Sequence, residues 1–174
     1  MRQLNILWLM VCILSGCSYD PPSGIKPITH FDAKAYEGTW YEIARLDHRF
    51  ERGLSCVSAT YSSDDKGGIK VINRGYNEKK AKWSEAIGRA YFVKGNDIGL
   101  LKVSFFGPFY GAYVIFYLDQ DHAYITSNTK DYLWFLSRTR TVKPTALKSF
   151  KSKAQALGFD LSSLHIVQQN DCDD

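Results

Sequence analysis

Residues Leu100 to Leu118 read LLKVSFFGPFYGAYVIFYL, a run long and apolar enough to raise a membrane-spanning helix. Gly107-Pro108 in its middle, Gly111 just after and the internal charge of Lys102 argue against one. The stretch reads instead as two strands, Leu100 to Phe106 and Tyr110 to Leu118, folded into a hairpin with an aromatic tip. Outward from that hairpin the pattern repeats in short β-rich runs separated by turn residues. Before it lie Gly38 to Asp47, Ser55 to Ser62, Ile69 to Asn77 and Lys82 to Val93; after it come His122 to Ser127 and Tyr132 to Arg138. The cluster Asp64-Asp65-Lys66-Gly67-Gly68 is a turn, and Glu78-Lys79-Lys80-Ala81 is a loop. Eight runs joined by such short connections predict antiparallel neighbours.

One helix stands out. Pro144 to Leu157 sets Leu147, Phe150, Ala154 and Leu157 on one stripe, with Lys148, Lys151 and Lys153 off it. Pro144 suits a first turn and Gly158 a C-terminal cap. A short ninth strand is expected at Leu164 to Gln168. The predicted fold is all-β: an eight-stranded antiparallel up-and-down β-barrel, closed so that no edge is exposed, with one C-terminal helix packed outside.

Composition agrees. The chain has 174 residues, 45% hydrophobic and 23% charged, which suits one globular domain. Its net charge of +4 is small and scattered, which argues against a nucleic-acid partner. Eleven Tyr, ten Phe and four Trp suit strands and an apolar cavity better than a helical bundle.

The N-terminus has its own organisation. Arg2 precedes an apolar run from Ile6 to Leu14, too short to span a bilayer, so residues 1–16 read as a signal peptide. Leu14-Ser15-Gly16-Cys17 resembles the bacterial lipobox, in which the Cys thiol takes a diacylglycerol and the mature chain starts at that Cys. Ser18 in place of Asp implies sorting to the outer membrane, anchored by lipid and facing the periplasm. Several acyl chains on one residue exceed the two signals that stable anchoring requires. Residues 17–30 hold three Pro and no periodicity and read as the lipidated Cys and a flexible tether, leaving 31–174 as the folded domain. With Cys12 removed and Cys17 acylated, Cys56 and Cys172 remain. In an oxidising compartment they read first as a disulfide, and otherwise as free or intermolecular thiols.

Within the folded part, Gly38-Thr39-Trp40-Tyr41-Glu42-Ile43 resembles the G-x-W-Y signature of the lipocalin family, and Leu136-Ser137-Arg138 its late Arg motif. Leu118-Asp119-Gln120-Asp121 resembles the family's middle motif only weakly. FDAKAYEGTWYEIARLDHRFERG, KVSFFGPFYG and DYLWFLSR run together at the spacing of the bacterial lipoprotein lipocalins, and the resemblance covers Phe31 to Gln169. It implies that Gly38, Trp40, Tyr41 and Arg138 mark the fold, the Arg138 guanidinium lying over the Trp40 indole at the closed end of the barrel. It also supports the Cys56–Cys172 pairing, because the apolipoprotein D branch bridges these two regions.

The resemblance further implies which strand faces point inward. Tyr61, Asn73, Phe105, Tyr113 and Trp134 match cavity positions of that branch. Stepping by two adds Ala59, Val71, Val103, Ile115 and Tyr132, with Ala90 and Phe92 taken on the fourth strand. Tyr61, Val71, Asn73, Ala90, Phe92, Val103, Phe105, Tyr113, Ile115 and Trp134 are the expected ligand-binding set. That lining suits a long acyl chain, with Asn73 and tyrosine hydroxyls to orient a head.

The mouth is expected at loops His48 to Leu54, Asn77 to Ala81, Gly107 to Gly111 and Asn128 to Asp131. They carry Arg49, Arg52, Lys79, Lys80 and Lys130 beside Phe106, Phe109 and Tyr110. Three readings of that rim stay open: contact with phosphate headgroups, a solvated edge, and a homodimer contact. Catalysis has little support. His30, His48, His122 and His165 are scattered, no nucleophile elbow or phosphate loop occurs, and no Cys–His spacing suits a metal. Glu42 and Asp47 share a strand at opposite parity and form no acid–base pair. The expected function is therefore noncatalytic and cofactor-free: binding a fatty acid or lysophospholipid in the barrel, for storage or transport in the envelope. A lipid-modifying enzyme and a structural module with a filled barrel are the alternatives.

Overall fold

A computed structural model of the chain describes residues 19–65 and 67–172. The expected signal peptide, Cys17, Ser18, Lys66, Asp173 and Asp174 lie outside the described residues. Eight strands run in chain order, β1 (Gly38–Leu46), β2 (Leu54–Asp64), β3 (Gly68–Asn77), β4 (Lys82–Phe92), β5 (Leu100–Phe106), β6 (Phe109–Leu118), β7 (His122–Thr126) and β8 (Leu133–Ser137). Each pairs antiparallel with the next, and β1 pairs with both β8 and β2, so the sheet closes on itself. A ninth strand, β9 (Leu164–Ile166), lies outside on β1. Helix α1 (Ala33–Tyr36) precedes the barrel, and α2 (Pro144–Ala156) follows it.

The expected strand bounds hold to within a few residues. Two short helical pieces escaped the sequence reading: α1, capped by Asp32 through Lys34 and Ala35 N–H groups, and a 3-10 turn at Glu78–Lys80. Both are too brief to leave a periodic signal.

The apolar residues sort into two cores, as alternation in a closed sheet requires. One fills the closed half of the barrel and contains Phe31, Tyr36, Trp40, Ile69 and Ile125. The other lies between the outer wall and α2, where Phe150 and Ala154 pack on Tyr124 and Phe135. The helix ends at Gly158, whose φ of +79° is a conformation that favours glycine.

The tether reading changes for residues 19–30. Ile25 is buried in the outer core, Ile28 N–H donates to Ile115 O at 2.9 Å, and Gly99 N–H donates to Ile28 O at 2.9 Å. A Cβ on Gly99 would stand 2.7 Å from Ile28 Cγ1, so only glycine admits this strap. Proline removed the periodicity that would have marked the segment, but Ile25 and Ile28 still supply apolar anchors.

The seam between β1 and β2 is short. Their pairing runs from Gly38↔Tyr61 to Tyr41↔Ser58. Bulges then interrupt β1 between Glu42 and Ala44 and β2 between Ser55 and Ser58, and the strands part. The C-terminal tail fills the gap. Ile166 pairs with Ala44, Cys56 N–H donates to Gln168 O at 2.7 Å, and Gln169 Nε2 donates to Glu42 O and Val57 O, each at 2.8 Å. The Cys56–Cys172 disulfide holds the tail there.

Candidate functional site

The closed end is built around Trp40, which is 1% exposed. Its indole N–H donates to Tyr36 O at 2.9 Å. Arg138 arrives from the end of β8 with its guanidinium carbon 3.8 Å from the indole centroid. The same group donates to Ala35 O, Glu37 O and Thr39 O, which satisfies it at the barrel floor. Gly38 admits the turn into β1, since its φ of +93° is a conformation that strains any residue with a side chain.

Above this floor is a cavity of about 130 Å³ that opens at the mouth. Nine of the ten residues expected on the wall are there: Tyr61, Val71, Asn73, Ala90, Val103, Phe105, Tyr113, Ile115 and Trp134. Phe92 is the exception. It packs on Phe31 below the cavity, ring centroids 6.1 Å apart, because β4 has already reached the closed end. Tyr132 is not on the wall either: it stacks against Trp134 at the mouth, 5.9 Å between centroids. Ala59 lines the wall as expected.

Neutral polar groups are the first feature to interrupt the apolar lining. Tyr113 Oη lies 2.8 Å from both Tyr36 Oη and Tyr61 Oη, a hydroxyl cluster low in the cavity. Burial pushes Tyr61 up to about 12 and carries Tyr36 and Tyr113 well above the ordinary phenol value, so all three stay neutral donors. Asn73 Oδ1 is buried on the wall with no hydrogen-bond partner among the described residues.

The second feature, a charged network at the upper wall, was missed. Glu42 and Glu51 both reach the cavity, and Arg45 lies behind them. Arg45 Nη1 donates to Glu42 Oε1 at 2.6 Å and Nη2 donates to Glu51 O at 2.6 Å. Trp134 Nε1 donates to Glu51 Oε2 at 3.0 Å, and His48 Nε2 lies 2.9 Å from the same oxygen. Glu42 and Arg45 are three apart on a strand, a spacing that alternation puts on opposite faces. The β1 bulge resets the parity, so both point inward. Burial, and then the charge of Glu51, push Glu42 well above the usual carboxylate range against the pull of Arg45. Burial also raises Glu51, but contacts with His48, Trp134 and Arg45 outweigh it and hold Glu51 below that range. Asp47, expected to be unrelated to Glu42, faces out and pairs with Arg52.

A closed eight-stranded antiparallel barrel with a Trp–Arg floor, an apolar interior and a C-terminal helix outside defines this chain as a lipocalin. A lipocalin-like domain matches residues 31–169, and the chain belongs to that family. It is 48% identical over 171 residues to the outer membrane lipoprotein Blc of Vibrio cholerae, covering 95% of this chain and 99% of that one. Similarity to mouse apolipoprotein D is weaker, 29% over 154 residues, covering 83% and 80%. Insecticyanin from the tobacco hornworm superimposes with a TM-score of 0.70 at 20% identity, covering 88% of this chain and 89% of that one, which supports the fold. The chain is thus a Blc-like lipocalin of the outer membrane lipoprotein class, within a family of binding proteins.

Proposed function

We propose that this lipocalin binds a single-chain lipid, a fatty acid or lysophospholipid, in its barrel, and stores or carries it at the outer membrane. The cavity carries the reading. Its walls are apolar, while the Tyr36–Tyr61–Tyr113 hydroxyls, Asn73 and the Glu42–Glu51 carboxyls supply a few polar contacts. An apolar-walled space of about 130 Å³, open at one end, supports a ligand-binding barrel over one filled by its own side chains. Acylation of Cys17 supplies the anchor in this reading. Wall residue Trp134 gives a direct signal, since an entering acyl chain changes the surroundings of its indole.

Residues 18–174, folded with the disulfide intact and without the anchor, are titrated with a lysophospholipid and with a long-chain fatty acid while tryptophan fluorescence is followed. Saturable one-to-one quenching is the expected result. No change with either lipid, together with native mass spectra free of bound lipid, refutes the proposal.

A further inference from the structure

Phe106 and Phe109 form the tip of the β5–β6 hairpin and are 81% and 79% exposed. Phe50, on the β1–β2 loop at the same end of the barrel, is 62% exposed. Large apolar groups gathered at one rim mark a contact surface. The strap supplies a second observation. Lys102 on β5 places its ammonium 5.8 Å from the Tyr19 ring and 5.2 Å from the Tyr110 ring. One cation therefore ties the first described residue to the residue that follows Phe109.

Cys17 is two residues before Tyr19, at most ~7 Å of extended chain. Phe106 is four residues beyond Lys102, ~13 Å along the strand. An acyl anchor at Cys17 therefore keeps the outer wall of the β5–β6 hairpin within a short leash of the leaflet. Charge then chooses between the two ends of the barrel. The mouth exposes Arg49, Arg52, Lys79, Lys80 and Lys82 against Asp47, Glu78 and Asp131, whereas the closed end exposes Asp32, Asp65, Asp97, Asp119 and Asp121 against Lys34 and Lys94. A leaflet of anionic phospholipids attracts the first and repels the second.

We propose that the anchored chain docks mouth-down on the leaflet that carries its anchor, with Phe106 and Phe109 inserted among the acyl chains. Phe50, Arg49, Lys79 and Lys80 lie at headgroup level. The proposal rests on the acylated Cys17 of the preceding section, and it makes the bilayer itself the source or destination of the cavity's lipid.

The lipidated full-length mature chain is reconstituted into vesicles of phosphatidylethanolamine and phosphatidylglycerol with brominated acyl chains, which quench indoles at membrane depth. Variants Phe106→Trp and Phe109→Trp probe the tip, and Lys34→Trp probes the closed end. The fluorescence added at 106 or 109 is expected to fall by about half, while that added at 34 is unaffected. Equal quenching at both ends, or none at the tip, overturns the docking. Tip indoles shielded from acrylamide on the vesicle but untouched by bromine would place a second copy on this surface, and overturn it too. An intact mass lacking the acyl groups overturns the anchor and the docking together; a lipidated chain without tip quenching overturns the docking alone.

Discussion

Arg45→Met separates what the buried charge network costs from what it stabilises. Arg45 and Glu42 side chains are 1% and 3% exposed, so neither charge has water to fall back on. Methionine keeps the length of the stem but removes the partner 2.6 Å from Glu42 Oε1 and the donor to Glu51 O. A buried carboxylate left without its cation costs ~3–5 kcal/mol, a large part of the ~5–15 kcal/mol that holds a typical domain together. The deficit has a pH signature. Burial already raises Glu42, and losing Arg45 raises it further. A group whose folded pKa is raised stabilises fully below its unfolded pKa and loses that contribution as pH rises. The Glu42 share of the Arg45→Met deficit therefore opens only above the parent's own raised Glu42 pKa and vanishes below it, where the carboxyl is protonated in both proteins. Glu42→Gln combined with Arg45→Met removes the stranded charge and recovers most of the loss. Urea unfolding of Arg45→Met, Glu42→Gln and the double variant beside the parent, from about pH 5 to about pH 9, measures both effects. A loss below ~1 kcal/mol for Arg45→Met, or a double variant no better than the single, refutes the reasoning.

Trp134→Ala removes a wall indole and is expected to weaken acyl-lipid binding about tenfold with an unchanged far-ultraviolet spectrum; unaltered affinity contradicts the cavity assignment. Arg138→Ala loses the cation–π contact and three donated hydrogen bonds at the floor, for ~2–4 kcal/mol in thermal unfolding, and Arg138→Lys recovers only part because it lacks the planar fork. Replacing both Cys56 and Cys172 by Ser opens a sequence separation of 116 residues and costs ~4–5 kcal/mol in the chain-entropy model, read from the urea midpoint. Phenolate absorbance should show Tyr61 titrating at about 12. Because an unfolded phenol titrates near 10, this tyrosine's share of stability is complete below about pH 10 and is lost between there and about pH 12.

The barrel was legible because strand alternation and turn chemistry recur through the chain, and α2 because its stripe is regular. Eight of the ten expected wall residues followed from family positions and a step of two, and Ala90, which is also on the wall, was taken with neither. Phe92 failed because counting along β4 does not say at what height a strand leaves the cavity. The Glu42–Arg45 pair failed for a different reason: one extra residue in β1 inverts the faces beyond it, and no local composition announces a bulge. Glu51 and His48 sit on a loop whose path depends on Arg45 holding Glu51 O, a tertiary contact with no spacing rule. The strap over residues 19–30 looked like a linker because proline and glycine mark irregular backbone whether it is free or packed.

The seam between β1 and β2 sets an order of events in time. Ile166 to Cys172 follow all eight barrel strands in the chain, yet Gln169 and β9 complete the wall at the level of Glu42 and Val57. In a chain made from its N-terminus the eight barrel strands can pair while this gap stays open, and the later stretch of polypeptide closes it. The thiols meet only then, so the covalent bond forms after the residues of all eight barrel strands have been made.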